Sequence, residues 1–242
     1  MKRIKIYSMI VLFLLVSGMN HLAAETYKIA TFPIPLMVES KTKGVFIDLV
    51  KEISNRANVK IEITVKPTNR TVKNFNEARV DGFFPALDVM IQKKVAKTKE
   101  IYIKQDFVFV KKGKTPIIKI KNLEGKRIGL TRGYPYVRKI TSNKKIKFDY
   151  ANNDVTNMKK LSIGRFDGFI VEEKSGLAAL EKSGKKNIHY NPKKPISKQK
   201  VYFAFQNNKI GKMLAKKFSK ALIGMKNDGT FKKIMNKAKK VN

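Results

Sequence analysis

The sequence of 242 residues contains no cysteine, no tryptophan and only two histidines. Without cysteine there is no disulfide, no thiolate nucleophile, no thiolate metal site and no N-terminal lipid anchor, so the core must cohere by packing alone. His21 falls in an apolar leader, which leaves His189 as the one imidazole for the fold. It sits in a polar stretch, Asn187-Ile188-His189-Tyr190-Asn191-Pro192, with no nucleophile beside it. Clustered-histidine metal sites are therefore excluded, and a serine–histidine pair has nothing but His189 to use. No catalytic residue, no metal and no cofactor is expected.

Acidic residues are also scarce, 18 against 53 basic ones, for a formal net charge of +35. Such a field attracts polyanions and anionic membrane surfaces. The excess is mostly lysine dispersed along helical faces, as at Lys212, Lys216, Lys217 and Lys220. It is not gathered into an arginine-rich stretch interleaved with aromatics, so it reads as solvated surface, and no nucleic-acid partner is expected.

Long apolar runs are limited to one. Lys2, Arg3 and Lys5 precede the run Ile6 to Met19, which is short for a bilayer span, and Leu22-Ala23-Ala24 follows as a cleavage site. Residues 1–24 thus read as a signal peptide cleaved near Ala24, leaving a secreted chain of 218 residues, Glu25 to Asn242. Loss of Lys2, Arg3 and Lys5 lowers the net charge from +35 to +32. A soluble periplasmic protein is the expectation.

What is present is alternation. Strand patterns at 27–31, 59–65 and 81–84 bracket helical patterns at 44–57 and 68–78. An extended run at 100–111 leads to a second series: strands at 127–131, 145–150 and 167–171, with helices at 134–142, 154–163 and 174–182. A further extended run, 200–206, precedes two helices, 210–225 and 230–239. Strand–helix–strand order implies parallel sheets with helices on both faces. An internal echo joins the halves: Ala78-Arg79-Val80-Asp81-Gly82-Phe83 returns as Gly164-Arg165-Phe166-Asp167-Gly168-Phe169, 86 positions later. Each copy ends a helix and opens a strand through Asp-Gly, so two lobes of one design are predicted.

The chain resembles the type II periplasmic solute-binding proteins, in particular the polar amino-acid group (family 3). The resemblance is carried by Gly44-Val45-Phe46-Ile47-Asp48-Leu49, the two Arg-x-Asp-Gly elements, Leu123-Glu124-Gly125-Lys126-Arg127-Ile128-Gly129 and Met225-Lys226-Asn227-Asp228-Gly229-Thr230. It implies a two-lobed α/β fold with a hinge. Lobe one is then discontinuous, residues 25–110 with 203–242, and lobe two is 111–202. It also implies a non-enzymatic monomer that captures a small polar solute, such as an amino acid, for an ABC permease or a sensor. Two other readings are an enzyme on this fold, dehydratase-like, with a cleft carboxylate as acid or base, and a cationic surface that binds polyanions.

Ligand in such α/β sheets lies beyond the carboxyl ends of the strands. Glu172, directly after the second Asp-Gly strand, is where the resemblance places the acceptor of a ligand ammonium group; Glu173 competes for that role. Arg132-Gly133-Tyr134-Pro135-Tyr136 joins a strand to a helix, so its free amides and Arg132 are candidates for an anion, with Tyr134 against the ligand. Arg70, opening a helix of lobe one, could clamp a carboxylate, and Phe32 could cover an apolar part. The family's carboxylate-binding Thr and Arg fall on Met90 and Lys93, and its second-lobe Thr on Tyr134. Lys93 offers a point charge only, so the usual α-carboxylate clamp is not reproduced.

Overall fold

The computed structural model describes residues 25–34 and 36–239, so the signal peptide expected at 1–24 lies outside the described residues. The first half is β1 (Thr26–Thr31), α1 (Val45–Ala57), β2 (Lys60–Val65), α2 (Thr68–Asn76) and β3 (Gly82–Ala86). A 3-10 turn at Asp88–Met90 and the short β4 (Val95–Lys97) lead into the long β5 (Tyr102–Lys111). The second half is β6 (Arg127–Thr131), α3 (Arg138–Thr141), β7 (Lys147–Ala151), α4 (Asp154–Ser162), β8 (Gly168–Glu172) and α5 (Glu173–Ser183). After β9 (Ile188–His189), the long β10 (Ser197–Gln206) leads to α6 (Lys209–Asn227) and α7 (Thr230–Met235).

β1 pairs parallel with β2 from Thr26↔Lys60 to Thr31↔Val65, and with β3 through Ile29↔Gly82. β6 repeats this, parallel to β7 from Arg127↔Lys147 to Thr131↔Ala151 and to β8 through Ile128↔Gly168. Two antiparallel strands join the halves. β10 pairs with β5 over Ser197–Val201 and with β3 and β4 over Tyr202–Gln206. The spatial order is therefore β2-β1-β3-β10-β5-β8-β6-β7.

Apolar packing separates along the same line. α1 buries Val45, Phe46, Leu49, Val50 and Ile53, residues one turn apart, against the first sheet. α6 returns to the same core with Leu214, Phe218, Leu222 and Met225. There Phe203 stacks on Phe84 with centroids 4.1 Å apart and meets Phe218 edge-on at 5.2 Å. Each such buried side chain contributes about 1.5–3 kcal/mol of transfer free energy. Phe107 to Val110 pack instead with Leu130, Phe169 and Ile170 in the second core.

The echo is structural. Ala78 (φ 56°) and Gly164 (φ 77°) both take the left-handed conformation that ends a helix. The following arginine amides then reach back to Asn74 O (2.9 Å) and Lys160 O (3.0 Å). One predicted helix differs. Residues 134–137 are not helical, and α3 begins only at Arg138. The cause is Tyr136, which is buried: its hydroxyl accepts from the Thr131 amide (2.9 Å) and donates to Ile170 O (3.1 Å), which ties the segment across the strand ends.

Candidate functional site

Register decides where a ligand can meet both halves. Ala86, the carboxyl end of β3, lies opposite Tyr202, and Glu172, the carboxyl end of β8, lies opposite Asp106. Tyr102–Asp106 and Ser197–Val201 are the segments that pair with each other. Both sets of strand ends therefore converge on the crossing strands, and two walls face each other there. Within the crossing, Asp106 is fully buried, ion-paired with Lys104 and bonded to Ser197 Oγ at 2.7 Å.

The second-lobe wall is rich in carboxylates and phenols. Glu172 is the N-cap of α5: its Oε2 accepts from the Ser175 amide (3.0 Å) and from Ser175 Oγ (3.2 Å). Glu173 turns elsewhere and accepts from the Tyr190 hydroxyl at 2.9 Å. Asp154, the first residue of α4, accepts from Thr131 Oγ1 and, over 3.0 Å, from the Tyr134 hydroxyl. Burial pushes the Asp154 carboxyl above its ordinary value, and the Glu172 charge adds to this, against the hydrogen bonds from Thr131 and Tyr134. Burial likewise raises the Tyr102 and Tyr134 hydroxyls, and the Glu172 charge contributes to both.

Three groups expected at the ligand have partners within this wall. The amides around Gly133 do not form a ready anion site: Arg132 N donates to Ala151 O (2.9 Å) and Tyr134 N to Thr131 O (3.3 Å). Gly133 itself (φ 80°) is exposed, and the four residues of α3 offer no helix terminus worth the name. Arg132 leans towards the β7 edge, Nε 3.3 Å from Asn152 Oδ1 and its guanidinium carbon 5.8 Å from the centre of the Tyr150 ring. There it lines an open groove of about 470 Å³ with Lys160 and Arg165. Tyr134, 40% exposed, has its hydroxyl proton committed to Asp154.

On the first-lobe wall, Arg70 is exposed in the opening turn of α2, and Phe32 is half-buried against Phe83 with ring centroids 6.2 Å apart. Lys93, expected as a ligand candidate, is engaged within its own lobe. Its ammonium donates to Phe75 O (2.8 Å), Asn76 O (2.9 Å) and Gln206 Oε1 (2.7 Å), so all three protons are taken. Gln206 lies at the amino end of β3, opposite the converging strand ends, and burial there lowers the Lys93 ammonium below its ordinary value. Asp88 was missed from the sequence. It accepts from Lys97 Nζ and the Tyr202 hydroxyl, each at 2.6 Å, and Lys97 above all holds its carboxyl below the ordinary value. Asp154 was missed too, although the rule that singled out Glu172, a carboxylate just past a strand end, applies equally to it after β7.

The model of the bacterial extracellular solute-binding proteins, family 3, matches residues 28–240. The chain belongs to this family. Among family 3 relatives, the probable amino-acid-binding protein YxeM of Bacillus subtilis (strain 168) is 22% identical over 216 residues, 86% of this chain and 80% of that protein. The putative amino-acid ABC transporter-binding protein PatH of Vibrio harveyi is 24% identical over 207 residues, 84% and 82% of the two chains. The GluR0 ligand-binding core from Nostoc punctiforme, solved with L-glutamate, has the same two-lobed architecture. It gives a TM-score of 0.69 at 17% identity, with 87% of this chain and 98% of that one covered. The fold is thus the two-lobed α/β fold of family 3, whose members bind solutes outside the cytoplasm. Among the described residues no three His, Cys, Asp or Glu side chains come together as metal ligands.

Proposed function

We propose that this chain captures a small solute bearing an ammonium group, an amino acid or a related amine, between its lobes. The observation that carries the reading is Glu172. Its Oε2 is spent on Ser175, while Oε1 is left for a ligand at the point where the crossing strands bring both walls together. A carboxylate held in place by its own helix cap is pre-organised to receive an ammonium group through a charge-assisted hydrogen bond. Tyr102 and Tyr134, whose hydroxyls feel the Glu172 charge, are the aromatic side chains that would line this site. The first lobe runs from residue 25 into β5 and resumes in β10, the second lies between, and hinge closure within 102–106 and 197–201 buries the ligand.

In this reading residues 1–24 are removed on export, and the mature monomer works in the periplasm without catalysis. It delivers its ligand to an ABC permease or reports it to a sensor. Thermal unfolding against a panel of amino acids and amines tests the capture. A ligand at a hundred times its dissociation constant stabilises by about 2.7 kcal/mol. A shift that Glu172→Gln removes supports the reading, and a shift that survives it sinks the role of Glu172.

A further inference from the structure

We propose that Asp154 makes this cleft selective for cationic ligands without a carboxylate, amines and diamines in place of α-amino acids; the proposal rests on ammonium capture at Glu172 as argued above. Of the groups that could receive a carboxylate, all but the exposed Arg70 are otherwise engaged. Lys93 has all three protons on acceptors at the far end of β3. Arg132 is drawn to Asn152 and Tyr150 on the flank. The Tyr134 hydroxyl, at the position where family resemblance places a carboxylate-binding hydroxyl, donates to Asp154 over 3.0 Å. A ligand carboxylate brought to Tyr134 would therefore find no proton and would meet a second carboxylate in a partly desolvated wall. Like charges there repel strongly.

An independent observation points the same way. The Thr131 hydroxyl bonds Asp154, so its oxygen is left to accept from Asn157 Nδ2 at 3.0 Å. That fixes the orientation of the Asn157 amide and leaves Asn157 Oδ1, on a fully buried residue, without a partner among the described residues. The cluster thus holds two carboxylates with a buried amide oxygen behind Asp154, all acceptors. Neither Asp154 nor Glu172 forms an ion pair with a lysine or arginine among the described residues, in a chain with 53 of them. The nearby Lys104, whose charge lowers the Asp154 carboxyl, is spent on its ion pair with Asp106, so the cluster has no cation of its own. A diammonium or aminoguanidine ligand supplies one to each carboxylate.

Matched pairs that differ only in the carboxylate test this by titration calorimetry. The pairs are lysine and 1,5-diaminopentane, ornithine and 1,4-diaminobutane, and arginine and 4-aminobutylguanidine. In at least one pair the carboxylate-free member is expected to bind about tenfold tighter or more, and Asp154→Asn to shrink that preference to about threefold or less. The wild-type comparison needs no variant. Should Asp154→Asn misfold, Tyr134→Phe keeps the carboxylate and should keep the preference. Amino acids binding as tightly as their partners would overturn the inference and leave capture at Glu172 standing. Loss of that binding in Arg70→Ala would then assign the carboxylate to Arg70. Absence of binding by every member of every pair would overturn both readings.

Discussion

Asp81 and Asp167, 86 positions apart, make the same two hydrogen bonds in the two lobes. Asp81 Oδ2 accepts from the Lys28 amide at 2.7 Å while its own amide donates to Lys28 O at 3.0 Å. Asp167 does so with Arg127, at 2.9 and 2.8 Å. Each aspartate fastens the strand it introduces to the first strand of its lobe, one residue before the parallel ladder begins. Alanine at either position should cost about 1 kcal/mol, the usual worth of one such bond. Because the sites lie in different lobes, the losses should add in the double variant. Urea unfolding of the three variants measures this, and a double loss well short of the sum would show that the lobes do not carry the motif independently.

Glu172 carries two loads that substitution can separate. Glutamine retains an oxygen for the Ser175 amide and removes the charge, whereas alanine removes both. Glu172→Gln should therefore keep most of the stability but lose about tenfold or more in ligand affinity. Glu172→Ala should lose affinity and a further ~1 kcal/mol of stability as the helix loses its cap. Parallel calorimetry and chemical denaturation on both variants read out the two effects.

Lys93 is expected to stabilise the first lobe without touching ligand. Methionine fills a similar volume but strands Phe75 O, Asn76 O and Gln206 Oε1. Stability should fall by about 1–3 kcal/mol, while ligand affinity stays within about twofold of the wild type. A large affinity change with intact stability would restore Lys93 to the binding site.

Asp228 governs an acid-sensitive tether between α1 and the turn before α7. Arg56 Nη1 lies 2.5 Å from Asp228 Oδ2 and the Thr230 amide donates to Asp228 Oδ1 at 2.9 Å; the guanidinium first, then Thr230, pull the Asp228 carboxyl down to about 2. A depressed folded-state value means stability that is present above the ordinary carboxylate range and is lost as pH falls from about 4 through 2. Asp228→Asn should lower the melting temperature near neutrality, flatten its pH dependence in that window, and converge with the wild type near pH 2. An identical acid limb in the variant would rule the tether out.

Much of the architecture was legible because its causes are local. The i, i+3, i+4 apolar stripe of α1 is a property of thirteen consecutive residues, and each Asp-Gly turn is a property of six. The helix predicted at 134–142 failed for a reason no local pattern holds. Tyr136 bonds Ile170 O, thirty-four positions away, and that contact outweighs the helical tendency of its neighbours.

By itself the sequence determined the α/β alternation and the duplication, which follow from residue spacing, and its motifs carried the resemblance to the family. Only the tertiary structure decided how the charges are spent. Lys93, Arg132 and Tyr134 could each have served a ligand carboxylate, but every one of them has a partner brought close by the fold. A hydrogen bond satisfies a donor once, and which acceptor claims it depends on groups that are distant in sequence and adjacent in space.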